Sequence, residues 1–195
     1  MNTKEKILCE SLRLFAQKGY DAVGVVQIAE AVGIKAPSLY KHYKNKRAIF
    51  NSIIERVNEM DAAFAARYQM PADEMEKSYH NLSAEHITSY TKAMFLHWTE
   101  ETFSCNFRRL LTLEQYKSAE MGSLYQQYIA GGPVKYMTDI FMEFSDSNMK
   151  AHELALEFYG PMHLMYSLYD GGVNKDCLLS LLQNHIHNFW GRLRR

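Results

Sequence analysis

Between Val25 and Tyr43 two short runs of helical apolar spacing are hinged on a single glycine, and no other feature limits the possible folds as much. Ile28, Ala29 and Val32 fall at i, i+1 and i+4, one inner face of a short helix, where Ala29 lets a neighbour approach closely. Gly33 closes that helix and allows a sharp turn, with Ile34 plugging it from below. A further helix is predicted from Lys35 or Ala36. Pro37 suits its first turn, where a missing N–H is harmless, and Leu39 and Tyr43 point inward at i and i+4. Upstream, Ile7, Leu8, Leu12 and Phe15 form one stripe of a helix over about Lys4–Lys18, capped by Thr3 and ended by Gly19. Downstream, Asn45 is the natural N-cap of a fourth helix.

Two short helices around a glycine turn, the second presenting Ser38, Tyr40, Lys41 and His42 outward, make a helix-turn-helix whose second helix suits a DNA major groove. Spacing alone also accommodates a plain three-helix core. Charge adds to the first reading. The net charge is zero, yet up to residue 56 there are ten Lys and Arg against five Asp and Glu, and the remainder holds twelve against seventeen. A basic head on an acidic body offers one end to a polyanion. Lys46 and Arg47 lie in the first turn of the fourth helix, where the helix dipole disfavours cations, which suggests an anion outside the protein.

The stretch from Ile7 to Phe50 strongly resembles the N-terminal domain of the TetR family of bacterial regulators. The resemblance rests on Leu14-Phe15, Gly19-Tyr20, Ile28-Ala29, Ala31-Val32-Gly33-Ile34, Leu39-Tyr40, His42-Tyr43 and Lys46. There are departures: Val23 and Gly24 stand where Thr or Ser is common, Lys35 where a Ser often opens the recognition helix, and Tyr43 where Phe is commoner. The resemblance implies that Tyr40, His42 and Lys46 bind phosphates, and that Lys35, Ala36, Pro37, Ser38 and Lys41 face base edges. It places Gln27 near phosphate or base and Thr3 and Lys4 near the backbone from the N-terminal arm. With so few bidentate readers, DNA shape is expected to carry much of the specificity.

The body reads as all helical. Apolar spacing continues through Ile49, Ile53, Val57, Met60 and Phe64, a long helix joining head to body that Pro71 ends. Ser83 caps a helix expected to reach about Thr102, and a mixed stretch follows Ser104. Pro133 opens a helix to about Phe144, Asp146 or Ser147 caps one to about Tyr169 bent at Gly160-Pro161, and the last runs from Asp176 to about Arg192. The last two are apolar on more than one face, so each needs a second partner. By the resemblance that partner is a second copy, and Leu154, Phe158, Met162, Met165, Leu178, Leu182, Ile186 and Phe189 are expected at a homodimer interface.

The body is also rich in aromatic residues and Met. Phe95, Trp98, Phe103, Phe107, Tyr125, Tyr128, Met137, Phe141, Tyr159, His163 and Tyr166 form either ordinary core or, as the resemblance implies, a pocket for a hydrophobic or aromatic effector. Convergent polar groups in an accessible pocket separate such a sensor from a DNA-bound scaffold that senses nothing.

An enzyme is not expected. His185 and His187 are two apart and diverge on a helix, His80 and His86 lack matching carboxylates, and neither HExxH nor a phosphate loop nor a nucleophile elbow occurs. Cys9, Cys105 and Cys177 are scattered and odd in number, so neither a disulfide frame nor a metal site is implied and no cofactor is expected. With no long apolar run and no signal sequence, no membrane partner is expected and the location read is cytoplasmic. The expected architecture is an N-terminal three-helix helix-turn-helix domain over 1–46, with the connecting helix starting there and running to about 60, and a C-terminal helical bundle over 47–195 for ligand binding and dimerisation. The expected activity is that of a repressor released from a palindromic double-stranded operator by a small-molecule ligand, the alternative being a DNA-binding regulator or scaffold without such an inducer, protein-controlled or an activator.

Overall fold

The computed structural model describes residues 2–70 and 83–193. Pro71 and His80, named above, lie outside them. Among the described residues there are helices and no strand. In chain order they are α1 (Thr3–Lys18), α2 (Val25–Val32), α3 (Ala36–Leu39), α4 (Lys46–Arg67), α5 (Ala84–Glu100), α6 (Thr102–Glu114), α7 (Ala119–Tyr128), α8 (Gly131–Phe141), a 3-10 turn (Met142–Phe144), α9 (Asn148–Asp170) and α10 (Lys175–Leu193).

The chain forms two compact units, Met1–Met70 with Thr102–Tyr125 and Pro71–Glu101 with Gln126–Arg195. In the first, α1 is the central post. Its buried stripe of Ile7, Leu8, Leu12 and Phe15 meets α2, α4 and α6. Ile28, Ala29, Leu39 and Tyr43 close one side, Ile49, Phe50, Ile53 and Val57 another, and Phe107, Leu110 and Leu111 of α6 the third. The α6 helix occupies the stretch expected to be mixed. Phe103, Phe107, Leu110, Leu111 and Glu114 fall at i, i+4, i+7, i+8 and i+11 and are all buried, one helical face. The break from α5 comes at Glu101, whose extended ψ of 118° ends the helix two residues before the expected point.

The helix caps follow local chemistry. Asn2, not Thr3, caps α1, its Oδ1 accepting from the Glu5 N–H at 2.9 Å. Asn45 accepts from the Ala48 N–H, Ser83 from His86 and Ser147 from Lys150. Gly24 has no side chain to cap α2, so Gln27 reaches back and accepts its N–H at 2.8 Å.

In the second unit α9 packs on α8, α10 and α5. Its centre is a ring cluster of Phe141, Phe158, Phe189 and Trp190, with centroids 5.0–6.5 Å apart. All eight residues expected at a dimer interface, Leu154, Phe158, Met162, Met165, Leu178, Leu182, Ile186 and Phe189, are buried within the single chain. The helical wheel gives the reason for this burial. Leu154, Phe158, Met162 and Met165 share one face of α9 and fill the intrachain seam, leaving Met149, Leu156 and Leu164 exposed on the opposite face. Leu181 is similarly exposed on α10. No helix among the described residues is long and apolar enough to cross a membrane.

Candidate nucleic-acid interface

The turn between α2 and α3 is built on Gly33, at φ 78° and ψ 31°, a left-handed conformation that side chains with a Cβ resist. Its N–H donates to the Glu30 carbonyl at 3.0 Å and the Ile34 N–H to Ala29 at 2.9 Å, satisfying the end of α2. Lys35 then stands at the N-cap of α3 without a side-chain cap bond, and Pro37 sits in the first turn. The regular helix ends at Leu39. Bonds from the His42 N–H and the Tyr43 N–H to the Leu39 carbonyl, 2.9 and 3.1 Å, carry the coil one further turn. Leu39 and Tyr43 are buried, and burial pushes the Tyr43 phenol above its ordinary pKa.

Anchoring those two side chains leaves the rest of the turn outward. Lys35, Pro37, Lys41 and His42 are exposed, Tyr40 is 54% exposed, and Ala36 and Ser38 are half-buried. Thr3 and Lys4 are exposed at the start of α1, and the Lys4 ammonium lies 5.6 Å from the Tyr43 ring centre, beside the end of the recognition segment. Gln27 is exposed, but its side-chain oxygen is engaged by Gly24. Lys44, which sequence reasoning passed over, is exposed immediately before the Asn45 cap and joins Lys35 and Lys41 on the same short segment. Its signal was simple adjacency to that cap.

Lys46, expected at a phosphate, is held within the fold. Its ammonium donates to the Tyr20 carbonyl at 2.9 Å and lies 4.2 Å from the centre of the Tyr20 ring. Arg47 likewise forks onto both carboxylate oxygens of Glu120, which holds that carboxyl below its usual pKa. The cations placed against the α4 dipole therefore have partners within the fold.

The eleven expected pocket residues divide between the units: Phe103, Phe107 and Tyr125 in the first, the other eight in the second. Phe95 stacks on Tyr166 at 5.5 Å, the Trp98 N–H meets the Met94 sulfur at 3.0 Å, Met137 and Phe141 are core, and Tyr128 is half-buried. Tyr159 and His163 do line a groove of about 640 Å³ between α8 and α9, with Val134, Lys135, Thr138, Asp139, His152 and Leu156 among its walls. The Thr138 hydroxyl donates to the Val134 carbonyl at 2.8 Å and lies 3.2 Å from His152 Nδ1, while the Tyr159 hydroxyl donates to the Ile129 carbonyl at 2.7 Å. Of the groove residues missed, His152 and Leu156 were legible as spacing: with Tyr159 and His163 they fall at i, i+4, i+7 and i+11 on one face of α9.

A glycine-hinged pair of helices whose second member is fixed by two buried anchors and shows Lys, Tyr and His outward is a helix-turn-helix. The family described as bacterial regulatory proteins, tetR family, matches residues 7–53. It is 30% identical over 86 residues to the HTH-type transcriptional repressor ComR of Escherichia coli (strain K12), a match spanning 44% of this chain and 40% of ComR. It is 28% identical over 137 residues to the biofilm operon icaADBC HTH-type negative transcriptional regulator IcaR of Staphylococcus aureus (strain Newman), covering 64% of this chain and 70% of IcaR. Among solved structures, that of AibR in complex with isovaleryl coenzyme A and operator DNA superimposes with a TM-score of 0.64 at 16% identity, over 93% of this chain and 96% of that one. At that identity the likeness concerns the fold.

Proposed function

We propose that this regulator is a homodimeric, cytoplasmic repressor that binds a palindromic operator and leaves it when a small hydrophobic or aromatic effector binds the body. The observation that carries the reading is the exposed segment Lys35–His42, held rigid by the buried Leu39 and Tyr43. Residues 1–46 form the DNA-binding head and 47–195 the regulatory part. Lys35, Lys41, His42 and Lys44 provide positive or hydrogen-bonding contacts along the groove, Tyr40 meets phosphate, and Ala36 and Pro37 offer apolar contact to a thymine methyl. Thr3, Lys4 and the amide nitrogen of Gln27 reach the backbone, and Ser38 faces a base edge.

A repressor is supported by the repressor roles of ComR and IcaR, and an effector by the coenzyme A thioester that AibR holds. The groove with Thr138, His152, Tyr159 and His163 supplies the convergent polar groups that a sensor needs and a mere scaffold does not. The exposed apolar stripe of Met149, Leu156 and Leu164 supports pairing of two copies through α9. An effector releases the operator only by binding the two body conformations with different affinity, so that the favoured one misplaces the heads against half-sites about one helical turn apart or a multiple of it.

Selection of bound sequences from randomised duplex DNA, followed by salt-titrated binding, tests the reading. A palindromic site is expected. Lys41→Ala should weaken it and lower the slope of log affinity against log salt by about one. Binding to random duplex as tight as to the best selected site would overturn the proposal.

A further inference from the structure

Tyr20 is held from three directions. Its N–H donates to Oε1 of Glu114, at the end of α6, at 3.3 Å. Its carbonyl accepts from the Lys46 ammonium, at the start of α4. Its ring packs between Phe15 of α1 and Phe50 of α4, with both centroids 5.1 Å away. One residue therefore joins the ends of three helices inside a single compact unit.

The Glu114 carboxylate is 1% exposed and is paired with Lys117 at 2.7 Å. Gly19, at φ +86°, leaves it room, for a Cβ there would lie 2.6 Å from the same Oε1. A buried charge is a poor choice for stability, because an apolar residue of similar volume often serves equally well. What the carboxylate adds is direction, since it accepts from one backbone N–H and one ammonium in a fixed geometry.

We infer that Glu114 is a positioning residue for operator binding: through Tyr20 it fixes the angle of the DNA-binding head on α6. Any displacement of α6 then reaches the head at the Gly19-Tyr20 turn. The inference rests on the regulator reading above and assigns its control to a named contact.

The test uses the full chain and two variants. Glu114→Leu removes the acceptors and keeps volume, and Glu114→Gln keeps an acceptor for Tyr20 while losing the charge opposite Lys117. Amide exchange without DNA is read at Tyr20, with α10 as reference. Binding is read on the selected operator and on derivatives with half-sites one base pair closer or farther. Glu114→Leu is expected to speed Tyr20 exchange about tenfold or more with α10 unchanged. It is also expected to shrink the discrimination between spacings about tenfold. Glu114→Gln, a weaker neutral acceptor, should lose a smaller part of both the exchange protection and the discrimination. If the Leu variant does not fold, faster Tyr20 exchange with undiminished discrimination in the Gln variant overturns the positioning role.

Unchanged Tyr20 exchange overturns the clamp. An equal loss of affinity on every spacing, with discrimination intact, overturns the positioning role and leaves a structural one. If the wild-type chain selects no palindrome, the regulator reading fails before any Glu114 variant is examined, and the positioning role fails with it.

Discussion

Leu39 and Tyr43 fix a recognition segment of barely two turns, too short to be stable by itself. Both are buried, so the outward residues gain rigidity from packing and not from helix propensity. Leu39→Ala is therefore expected to destabilise the chain by about 2–5 kcal/mol, read from denaturant midpoints, and to weaken operator binding with it. Tyr40→Ala, at a half-exposed position, should leave the midpoint within about 0.5 kcal/mol of wild type while weakening operator binding. Equal stability losses for the two would mean that Tyr40 is not displayed as the structure has it. Which of these side chains point inward was legible in the sequence, because i, i+4 spacing around Gly33 leaves little choice. The fate of Lys46 was not. A lysine at a helix start reads as an unbalanced cation. Only the fold brings Tyr20, 26 residues earlier, under its ammonium.

At the scale of elements, the hinge between α2 and α3 depends on one backbone conformation. A Cβ on Gly33 meets nothing within 4 Å, so a substitution there is opposed by its positive φ and not by crowding. Gly33→Ala should cost about 1–2 kcal/mol, and Gly33→Asn clearly less, since Asn tolerates the left-handed region. Equal melting losses for both would point to a packing effect instead. The joint between α4 and α7 adds a pH term. The Arg47 fork lowers the Glu120 pKa, so the pair contributes stability above the ordinary carboxylate pKa and loses it as pH falls through the lowered value. Both side chains are about half exposed, so the gap between wild type and Glu120→Gln at pH 7 should be under about 1 kcal/mol. Denaturant titrations should show that gap closing in acid; a gap that persists there would exclude the carboxylate as its source. Helix α6 was harder to read than its neighbours because its buried face ends in a charge. Glu114 counts against burial in any apolar pattern, and the contact that explains it is to a backbone N–H 94 residues away.

At the scale of the whole molecule, the two-faced apolar character of α9 was plain in the sequence, but not which face serves which partner. Periodicity marks both stripes equally. The seam goes to the face whose residues interlock with α8 and α10, and that face carries Phe158, whose ring meets Phe141 at 5.5 Å and Phe189 at 5.0 Å. Sequence reasoning assigned this richer stripe to a second copy, and within the single chain it is already buried. The same limit applied to the aromatic cluster, where composition could not separate packed rings such as Phe95 on Tyr166 from groove walls such as Tyr159. The two stripes of α9 therefore predict opposite outcomes. Phe158→Ala should cost about 3–5 kcal/mol and lower the melting temperature at any concentration. Leu164→Glu, at a 59% exposed position, should leave the fold of each copy intact, shift sedimentation from dimer to monomer, and reduce binding of a full palindrome to that of a single half-site. A Leu164→Glu chain that still sedimented as a dimer and bound the palindrome at wild-type affinity would remove this face of α9 from the assembly. The copies would then have to meet through another surface, and the rule that places the two heads on DNA would have to start from that one.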